Sequence, residues 1–366
     1  MLSPFAPATH ILTYAQSLQG GGVERAMLRL ARGWIAAGHR VTLVLGESAG
    51  PLVAEIPPGV ELIGLDSSYL GLMRALPGIV ASTAPAIVFC PGNHYTSMAA
   101  WLRARLGRHC PVIVAKVSNR LDRIDQHFPV DQAYRSWLRW HPLFLDHVVA
   151  MSPAMGAEAV RMMHIAPERV SVIANPPTNA PGAALSGPSL RAGERFLLGV
   201  GRLSQQKRWD RLIDAMPGVA ERDTQLVILG EGEQRPALEN QVATLGLRAR
   251  VDLPGYAPDP QPALARAAAL VLTSDFEGVP GVLQEALALG TPVIATESSV
   301  AIREIIASPT LGSVVPAGDH HALVAAIDHW LEPGRPRPDP VPERGADSVG
   351  RYLELFDRLI FARQRA

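Results

Sequence analysis

Several functional classes are set aside by what this sequence lacks. Thirty-four lysines and arginines stand against thirty-four aspartates and glutamates in 366 residues. A neutral chain has no cationic surplus with which to displace counterions from nucleic-acid phosphates. The two cysteines, Cys90 and Cys110, supply neither a disulfide framework nor a zinc site, and each reads as a small core residue in a reducing cytoplasm. H-E-x-x-H and C-x-x-C are absent, and no D-x-D metal motif stands near the loops described below. No run approaches the roughly 18 apolar residues of a membrane span. Met1 to Ala15 has no basic region followed by a long apolar stretch, so no signal peptide is expected. Lysine is nearly missing as well, with Lys116 and Lys207 the two in the chain. The arginine bias looks like a coding background, and arginine abundance alone does not indicate phosphate binding.

What is present describes a globular α/β chain. Hydrophobic residues make up 48% and charged residues 19%, enough for an ordinary core and too apolar for disorder. The length suits two domains. The charge is unevenly divided: residues 1–175 hold 15 basic and 11 acidic side chains, and the remainder 19 and 23. That split suits an N-terminal half that meets an anionic surface.

Short apolar runs alternate with segments of helical period, the pattern of parallel sheets. Strands are expected at His10–Tyr14, Arg40–Leu45, Ala86–Cys90, Val112–Val117, Asp146–Ala150 and Val170–Ala174, with a helix at Val23–Ala37. A Pro/Gly/Ser-rich stretch from Asn175 to Pro188 reads as a linker. The cycle restarts with strand Arg195–Val200, helix Trp209–Ala220, strand Gln225–Leu229, helix Glu233–Leu245 and strand Arg250–Leu253. Strand Leu270–Leu272, helix Pro280–Leu289, strand Pro292–Ala295, helix Val300–Ala307, strand Gly312–Val315 and helix His320–Trp330 follow. A proline-rich connector, Pro333 to Pro342, leads to a last amphipathic helix near Ala346–Arg363. Two doubly wound Rossmann-like units of this kind would turn their strand carboxyl ends towards one central cleft, where open α/β sheets bind ligands.

Five segments could carry chemistry. Gly20-Gly21-Gly22 lies between a strand and a helix, either as a flexible turn or as an anion cradle at the helix start. It lacks the six-residue dinucleotide spacing. Gly201-Arg202-Leu203-Ser204-Gln205-Gln206-Lys207 puts a guanidinium and an ammonium on one strand-to-helix loop, suited to a diphosphate, although two solvated cations would look the same. In Asp275-Phe276-Glu277-Gly278-Val279-Pro280-Gly281-Val282-Leu283-Gln284-Glu285, Pro280 suits the first helical position. Glu277 and Glu285 then flank a helix start with the Gly278–Gly281 amides between them. Two carboxylates could form a glycosidase pair, but a helix start favours ionised carboxylates and offers no raised-pKa acid. A capping carboxylate on a solvated face is the plain alternative; acceptors for sugar or ribose hydroxyls is the preferred one. Gly230-Glu231-Gly232 and Leu253-Pro254-Gly255 close two further strands, as ordinary turns or ligand-side loops.

These residues resemble the retaining glycosyltransferases of the GT-B fold, family 4 (glycosyl transferases group 1). The marker is E-x7-E, Glu277 to Glu285, followed by Ala286-Leu287-Ala288-Leu289-Gly290-Thr291-Pro292. Gly201-Arg202-Leu203 with Lys207, Gly230-Glu231-Gly232 and Val315-Pro316-Ala317-Gly318-Asp319 surround it. Gly20-Gly21-Gly22-Val23-Glu24-Arg25 resembles the early glycine loop, and Val172-Ile173-Ala174-Asn175-Pro176 the interdomain crossing. The resemblance implies an acceptor-binding domain at 1–175, a nucleotide-sugar-binding domain at 176–345, and a helix at 346–366 crossing back to the first. It implies a UDP- or GDP-sugar donor, metal-independent retaining transfer to a glycan or lipid-linked acceptor, and a role in bacterial cell-surface polysaccharide or glycolipid synthesis. Arg202 and Lys207 would hold the diphosphate, Glu285 the ribose and Glu277 the sugar. The amides of Gly278, Val279, Gly281, Val282 and Leu283, on either side of Pro280, would cradle the donor. Gly230, Gly232, Pro254 and Gly255 would flank the base, and Gly21, Gly22 and Gly201 would approach the donor with their backbones. Within Phe89-Cys90-Pro91-Gly92-Asn93-His94, His94 or Asn93 matches a histidine found in many members. Ser298-Ser299-Val300-Ala301 departs from the cysteine-proline-glycine turn of close relatives, which bears on the sugar pocket. Another GT-B enzyme, a phosphorylase or a sugar-nucleotide epimerase, and an idle GT-B scaffold subunit are the rival readings. Tyr134-Arg135-Ser136-Trp137-Leu138-Arg139-Trp140 would either lie on an anionic membrane at its inner face or form an interior helix with two buried tryptophans.

Overall fold

The computed structural model describes residues 8–122, 129–177 and 195–365. Of the expected linker, residues 178–188 lie outside the described residues, and so do residues 1–7. The chain forms two compact units, Met1–Pro176 with Gly345–Ala366, and Pro177–Arg344.

The first unit holds strands β1 (His10–Ala15), β2 (Arg40–Leu45), β3 (Val60–Gly64), β4 (Ile87–Cys90), β5 (Val112–Val117), β6 (His147–Ala150) and β7 (Val170–Val172). They pair in parallel in the order β3-β2-β1-β4-β5-β6-β7. Its first five helices are α1 (Gly22–Ala36), α2 (Tyr69–Thr83), α3 (Thr96–Leu106), α4 (Val130–Phe144) and α5 (Pro153–Met163). Ile87, Val88, Phe89 and Cys90 are all buried, as befits a strand covered on both faces. Ser68 and Ser152 cap α2 and α5, their hydroxyls accepting from Gly71 N and Met155 N at 3.3 Å. At α1 the N-cap is Gly21, in extended conformation and with no side-chain cap.

The second unit holds β8 (Phe196–Val200), β9 (Gln225–Leu229), β10 (Val251–Gly255), β11 (Ala269–Leu272), β12 (Val293–Thr296) and β13 (Gly312–Val315), in parallel order β10-β9-β8-β11-β12-β13. Its helices are α6 (Trp209–Ala215), α7 (Arg235–Thr244), α8 (Gln261–Arg266), α9 (Gly281–Ala288), α10 (Ile302–Ile305) and α11 (His320–Leu331). The last helix, α12 (Ser348–Gln364), belongs to the first unit. There it sets Tyr352 and Phe356 against Trp34 at ring-centroid distances of 6.0 and 5.5 Å.

Both sheets are doubly wound, and each reverses its strand order once, between β1 and β4 and between β8 and β11. Three expected elements differ in detail. The helix from Trp209 stops at Ala215 because Pro217 follows within a 3-10 turn. Pro280 is the N-cap of α9, at ψ 108°, and Gly281 is the first helical residue. The helix expected at Val300–Ala307 shrinks to Ile302–Ile305.

One buried group should make unit 1 sensitive to acid. His141, 2% exposed, has Nδ1 2.9 Å from Trp137 O, and burial pushes its pKa down to about 4. The unfolded chain therefore takes up the proton first. The contribution to stability is complete above pH 6.5 and lost as the pH falls towards 4, by up to about 3 kcal/mol. His147 titrates in the same window for the same reason. Urea unfolding at pH 7 and pH 4.5 should show a large acid loss in the native chain and a smaller one in His141→Leu.

Candidate active site

In a doubly wound sheet, the loops that leave two neighbouring strands at the reversal point diverge and leave room for a ligand beyond their carboxyl ends. In unit 2 those strands are β8 and β11. The loop after β8 carries Gly201 to Lys207, and the loop after β11 carries Thr273 to Gly281. Topology therefore brings together two segments that are seventy residues apart in sequence.

Lys207 Nζ lies 2.6 Å from Glu277 Oε1, with side-chain exposures of 18% and 10%. Ser274 Oγ donates to the same oxygen at 2.6 Å. The two loops are also laced through their backbones. Asp275 N donates to Gln206 O at 2.9 Å and Gln206 Nε2 to Phe276 O at 2.7 Å. Thr273 Oγ1 reaches Lys207 O at 3.1 Å and Arg208 O at 2.9 Å. Arg208, between Lys207 and α6, is held in the left-handed region at φ 50°, a costly conformation for a residue with a side chain. Asp275 fixes it from the opposite loop, pairing with Arg208 Nη1 at 3.3 Å and Arg211 Nη1 at 2.6 Å. Hydrogen bonding to Asp210, and then to Asp275, raises the Arg208 pKa. The ammonium is thus preset on a rigid frame rather than carried on a loose loop.

A third layer comes from the end of β12. Thr296 Oγ1 donates to Ser274 O and Ser299 Oγ to Gly278 O, each at 2.6 Å, and Glu277 N donates to Ser298 O at 3.0 Å. These hydroxyls are buried and hold the loop that presents Glu277. The Ser298-Ser299 departure noted in the sequence thus supports the Glu277 loop from behind. Gln206, Ser274 and Ser299 were not singled out as site residues; the density of hydroxyls in Thr296-Glu297-Ser298-Ser299 was the available signal.

The glycine turns are explained by close packing. A methyl at Gly230 would run into the carbonyl oxygen of Gly201, and one at Gly232 into that of Leu203. Gly201 N donates to Leu229 O, and Gly230 N to Gly255 O at 2.8 Å, so the three loops stack at the ends of β8, β9 and β10. Glu231 is engaged by Arg235 at 2.8 Å. Pro254 is exposed at the end of β10. Arg202 is exposed, while its carbonyl accepts from Trp209 Nε1 at 3.0 Å.

Helix α9 starts beside this frame with no side-chain cap, leaving the first-turn amides directed outward at the positive end of its dipole. A β-carbon at Gly281 would sit 3.8 Å from Glu285 Oε1, which puts that half-buried carboxylate alongside the helix start. One expected donor is removed from the amide cradle: Leu283 N already donates to Pro280 O at 3.2 Å, and its side chain is in the core. Gly278, Val279, Gly281 and Val282 remain.

Gly21, Gly22 and His94 belong to unit 1, at its own reversal point between β1 and β4. Gln16 N donates to Tyr95 Oη at 3.0 Å, joining the two loops there. His94 is exposed, its ring 3.8 Å from that of Tyr95 and its carbonyl accepting from Tyr69 Oη at 2.8 Å. Asn93, the alternative to His94, has a structural task. Its Oδ1 accepts from Ser118 N at 2.8 Å and its Nδ2 donates to Asn119 O at 3.1 Å. Among the described residues no group of three or more His, Cys, Asp or Glu is arranged to hold a metal ion, and no helix is long and apolar enough to cross a membrane.

Comparison with known proteins agrees with this architecture. The model of Glycosyltransferase Family 4 matches residues 20–176, and that of Glycosyl transferases group 1 matches residues 194–333. The chain belongs to the group 1/family 4 glycosyltransferases. A phosphatidyl-myo-inositol mannosyltransferase of Mycobacterium leprae is 35% identical over 180 residues, 46% of each chain. LpsE of Rhizobium meliloti, a lipopolysaccharide core biosynthesis glycosyltransferase, is 31% identical over 160 residues, 43% of this chain and 45% of LpsE. A Campylobacter jejuni N-acetylgalactosaminyltransferase that acts on a diphospho-undecaprenol is 29% identical over 51% of each chain. The chain spans about half the length of these relatives. Among solved structures, HepE of Anabaena with UDP and glucose superposes with a TM-score of 0.72 at 20% identity over 98% of both chains. Sucrose-phosphate synthase of Thermosynechococcus elongatus gives 0.74 at 21%, also over 98% of both. The fold is GT-B.

Proposed function

We propose that this protein is a retaining glycosyltransferase that moves a sugar from a UDP- or GDP-sugar to a glycan or lipid-linked acceptor in cell-surface polysaccharide or glycolipid synthesis. The observation that carries the reading is the Lys207–Glu277 pair, fixed on two interlaced loops beside the uncapped start of α9. An ammonium, outward amides and a nearby guanidinium suit a diphosphate. Carboxylates at Glu277 and Glu285 suit the hydroxyls of a sugar and a ribose. The names of the relatives, which mention a diphospho-undecaprenol, lipopolysaccharide core biosynthesis and phosphatidyl-myo-inositol, support the acceptor class.

In the ligand-free chain Glu277 neutralises Lys207. With a donor in place, Lys207 and Arg202 turn their charge to the diphosphate, and Glu277 keeps Ser274 while accepting from a sugar hydroxyl. As the bond from the anomeric carbon to the phosphate oxygen breaks, negative charge grows on that oxygen. Lys207, Arg202 and the α9 amides stabilise it more in the transition state than in the ground state. The departing oxygen takes the acceptor hydroxyl's proton while the acceptor oxygen bonds to the same face of the sugar. No protein base or metal is required by this scheme. In it unit 1 binds the acceptor, His94 and the Gly21–Gly22 turn are its candidate site residues, and the protein works in the cytoplasm at the inner face of a membrane.

The test is nucleotide release. Incubated with a panel of UDP- and GDP-sugars, the protein should liberate the nucleoside diphosphate from one of them. Sugar transferred to an added glycan should keep its anomeric configuration by NMR. Phosphate-dependent release, or epimerised donor without transfer, would instead assign one of the rival GT-B activities.

A further inference from the structure

The carboxyl ends of β1 to β4 carry loops that gather into one corner of unit 1. Gln16 follows β1, Glu47 follows β2, Asp66 follows β3 and His94 follows β4. Their backbones are laced together: Glu47 N donates to Gln16 O and Ser67 N to Gly46 O, each at 2.7 Å. Gln16 Nε2 donates to Ser67 O at 3.0 Å and to Glu47 Oε1 at 3.4 Å, and a methyl at Gly46 would run into the Gln16 carboxamide. Asp66 is held in the left-handed region at φ 45°, which aspartate tolerates better than most side chains.

Aromatic side chains back this corner. Tyr95, 2% exposed, meets Tyr14 edge-on at 5.9 Å and lies parallel to the half-buried Tyr69 at 6.5 Å. Tyr69 opens α2, and its hydroxyl lies 2.7 Å from Ser97 Oγ as well as donating to His94 O. The Tyr69 ring and the His94 backbone are thereby fixed beside each other. The charge of the corner runs against that of its unit. Unit 1 holds 19 Lys and Arg against 14 Asp and Glu. Yet residues 16–21, 46–50, 65–68 and 91–95 include Glu47 and Asp66 and no lysine or arginine. Both carboxylates are exposed, and neither forms an ion pair among the described residues.

We propose that this corner is a subsite for a neutral sugar of the acceptor, with the C–H face of the sugar on the rings of Tyr69 and His94 and its hydroxyls on Glu47 and Asp66. Aromatic rings present a negative face that suits polarised C–H bonds. Ionised carboxylates accept hydrogen bonds strongly and bring no hydrogen of their own. A phosphorylated sugar or a phosphate headgroup fits poorly, because it would meet two carboxylates and no lysine or arginine. The inference deepens the transferase reading and rests on it only in calling this sugar the acceptor.

Saturation-transfer NMR on the full chain, with UDP or GDP present, tests it. The probes are the methyl glycosides of glucose, galactose, mannose and N-acetylglucosamine, and the 6-phosphates of the same sugars. At least one neutral glycoside should bind, and its 6-phosphate should bind at least about tenfold more weakly. Glu47→Gln/Asp66→Asn, which alters exposed side chains only, and Tyr69→Ala should each weaken the neutral glycoside by about tenfold. Tyr69→Phe keeps the ring and should bind nearly as the native chain does. All three variants should keep whatever melting shift UDP or GDP gives the native chain. No neutral glycoside bound, a preference for the 6-phosphate, or binding untouched by both the double variant and Tyr69→Ala would overturn the proposal. Equal losses in Tyr69→Phe and Tyr69→Ala would overturn it as well, since Tyr69 would then only hold the His94 loop in place. Glycoside binding that follows these expectations, without nucleotide release from any donor, would leave the subsite standing and fail the transferase reading.

Discussion

Lys207→Ala is expected to lower kcat/KM by about 10²–10³-fold, the usual cost of losing one preset group that stabilises departing charge. It should also destabilise unit 2. Glu277 is 8% exposed, and removing its partner leaves a nearly buried carboxylate held by Ser274 alone, at a cost of about 3–5 kcal/mol. These two effects separate in the double variant. Lys207→Ala/Glu277→Gln should recover most of the melting temperature, because a neutral amide no longer needs the ammonium, and should recover none of the activity. If activity returned with stability, Lys207 would be a structural residue and the proposed mechanism would lose its main cation.

Gly230→Ala should be the most damaging single methyl in unit 2, with more than about 4 kcal/mol lost. The added carbon would overlap the Gly201 carbonyl, a backbone atom that rotamer changes cannot move, at the junction of β8, β9 and β10. Urea unfolding of the variant checks this. Gly78→Ala provides the contrast: Gly78 lies within α2 with nothing within 4 Å of the added carbon, so a gain of about 0.5–1 kcal/mol is expected. A mild effect at Gly230 would mean that the stacked glycine loops are looser than this geometry requires.

The strands that sequence alone revealed most clearly were those buried on both faces. Val112–Val117 and Gln225–Leu229 appear with the expected ends, because a continuous apolar run between polar breaks has few other uses. Strand β3 was missed for the opposite reason: at the sheet edge, Glu61, Leu62 and Gly64 are exposed and no apolar run marks it. Helices α2 to α5 were unassigned, and α4 shows why such helices are hard to read. Its tryptophans look alike in sequence, yet Trp137 turns inward and stacks on Phe144 whereas Trp140, 62% exposed, faces out. In the candidate site, motif and spacing singled out Lys207, Glu277 and Glu285. They could not show that Lys207 and Glu277 touch, because that contact comes from β8 and β11 being neighbours. Nor could they show that Asn93 is occupied by Ser118 and Asn119, or that Leu283 has used its amide within α9. Each of those depends on backbone partners that only the fold supplies.

The most direct test of the central claim is the binding of UDP, GDP, ADP and CMP, read as a melting shift relative to each ligand-free variant. The account predicts that one nucleoside diphosphate, at about 100 times its Kd, stabilises the native chain by about 2.7 kcal/mol. The stabilisation should be lost in both Lys207→Ala and Glu285→Ala. Stabilisation that survives both substitutions, or none with any nucleotide, would contradict a nucleotide-sugar site at the junction of β8, β11 and α9.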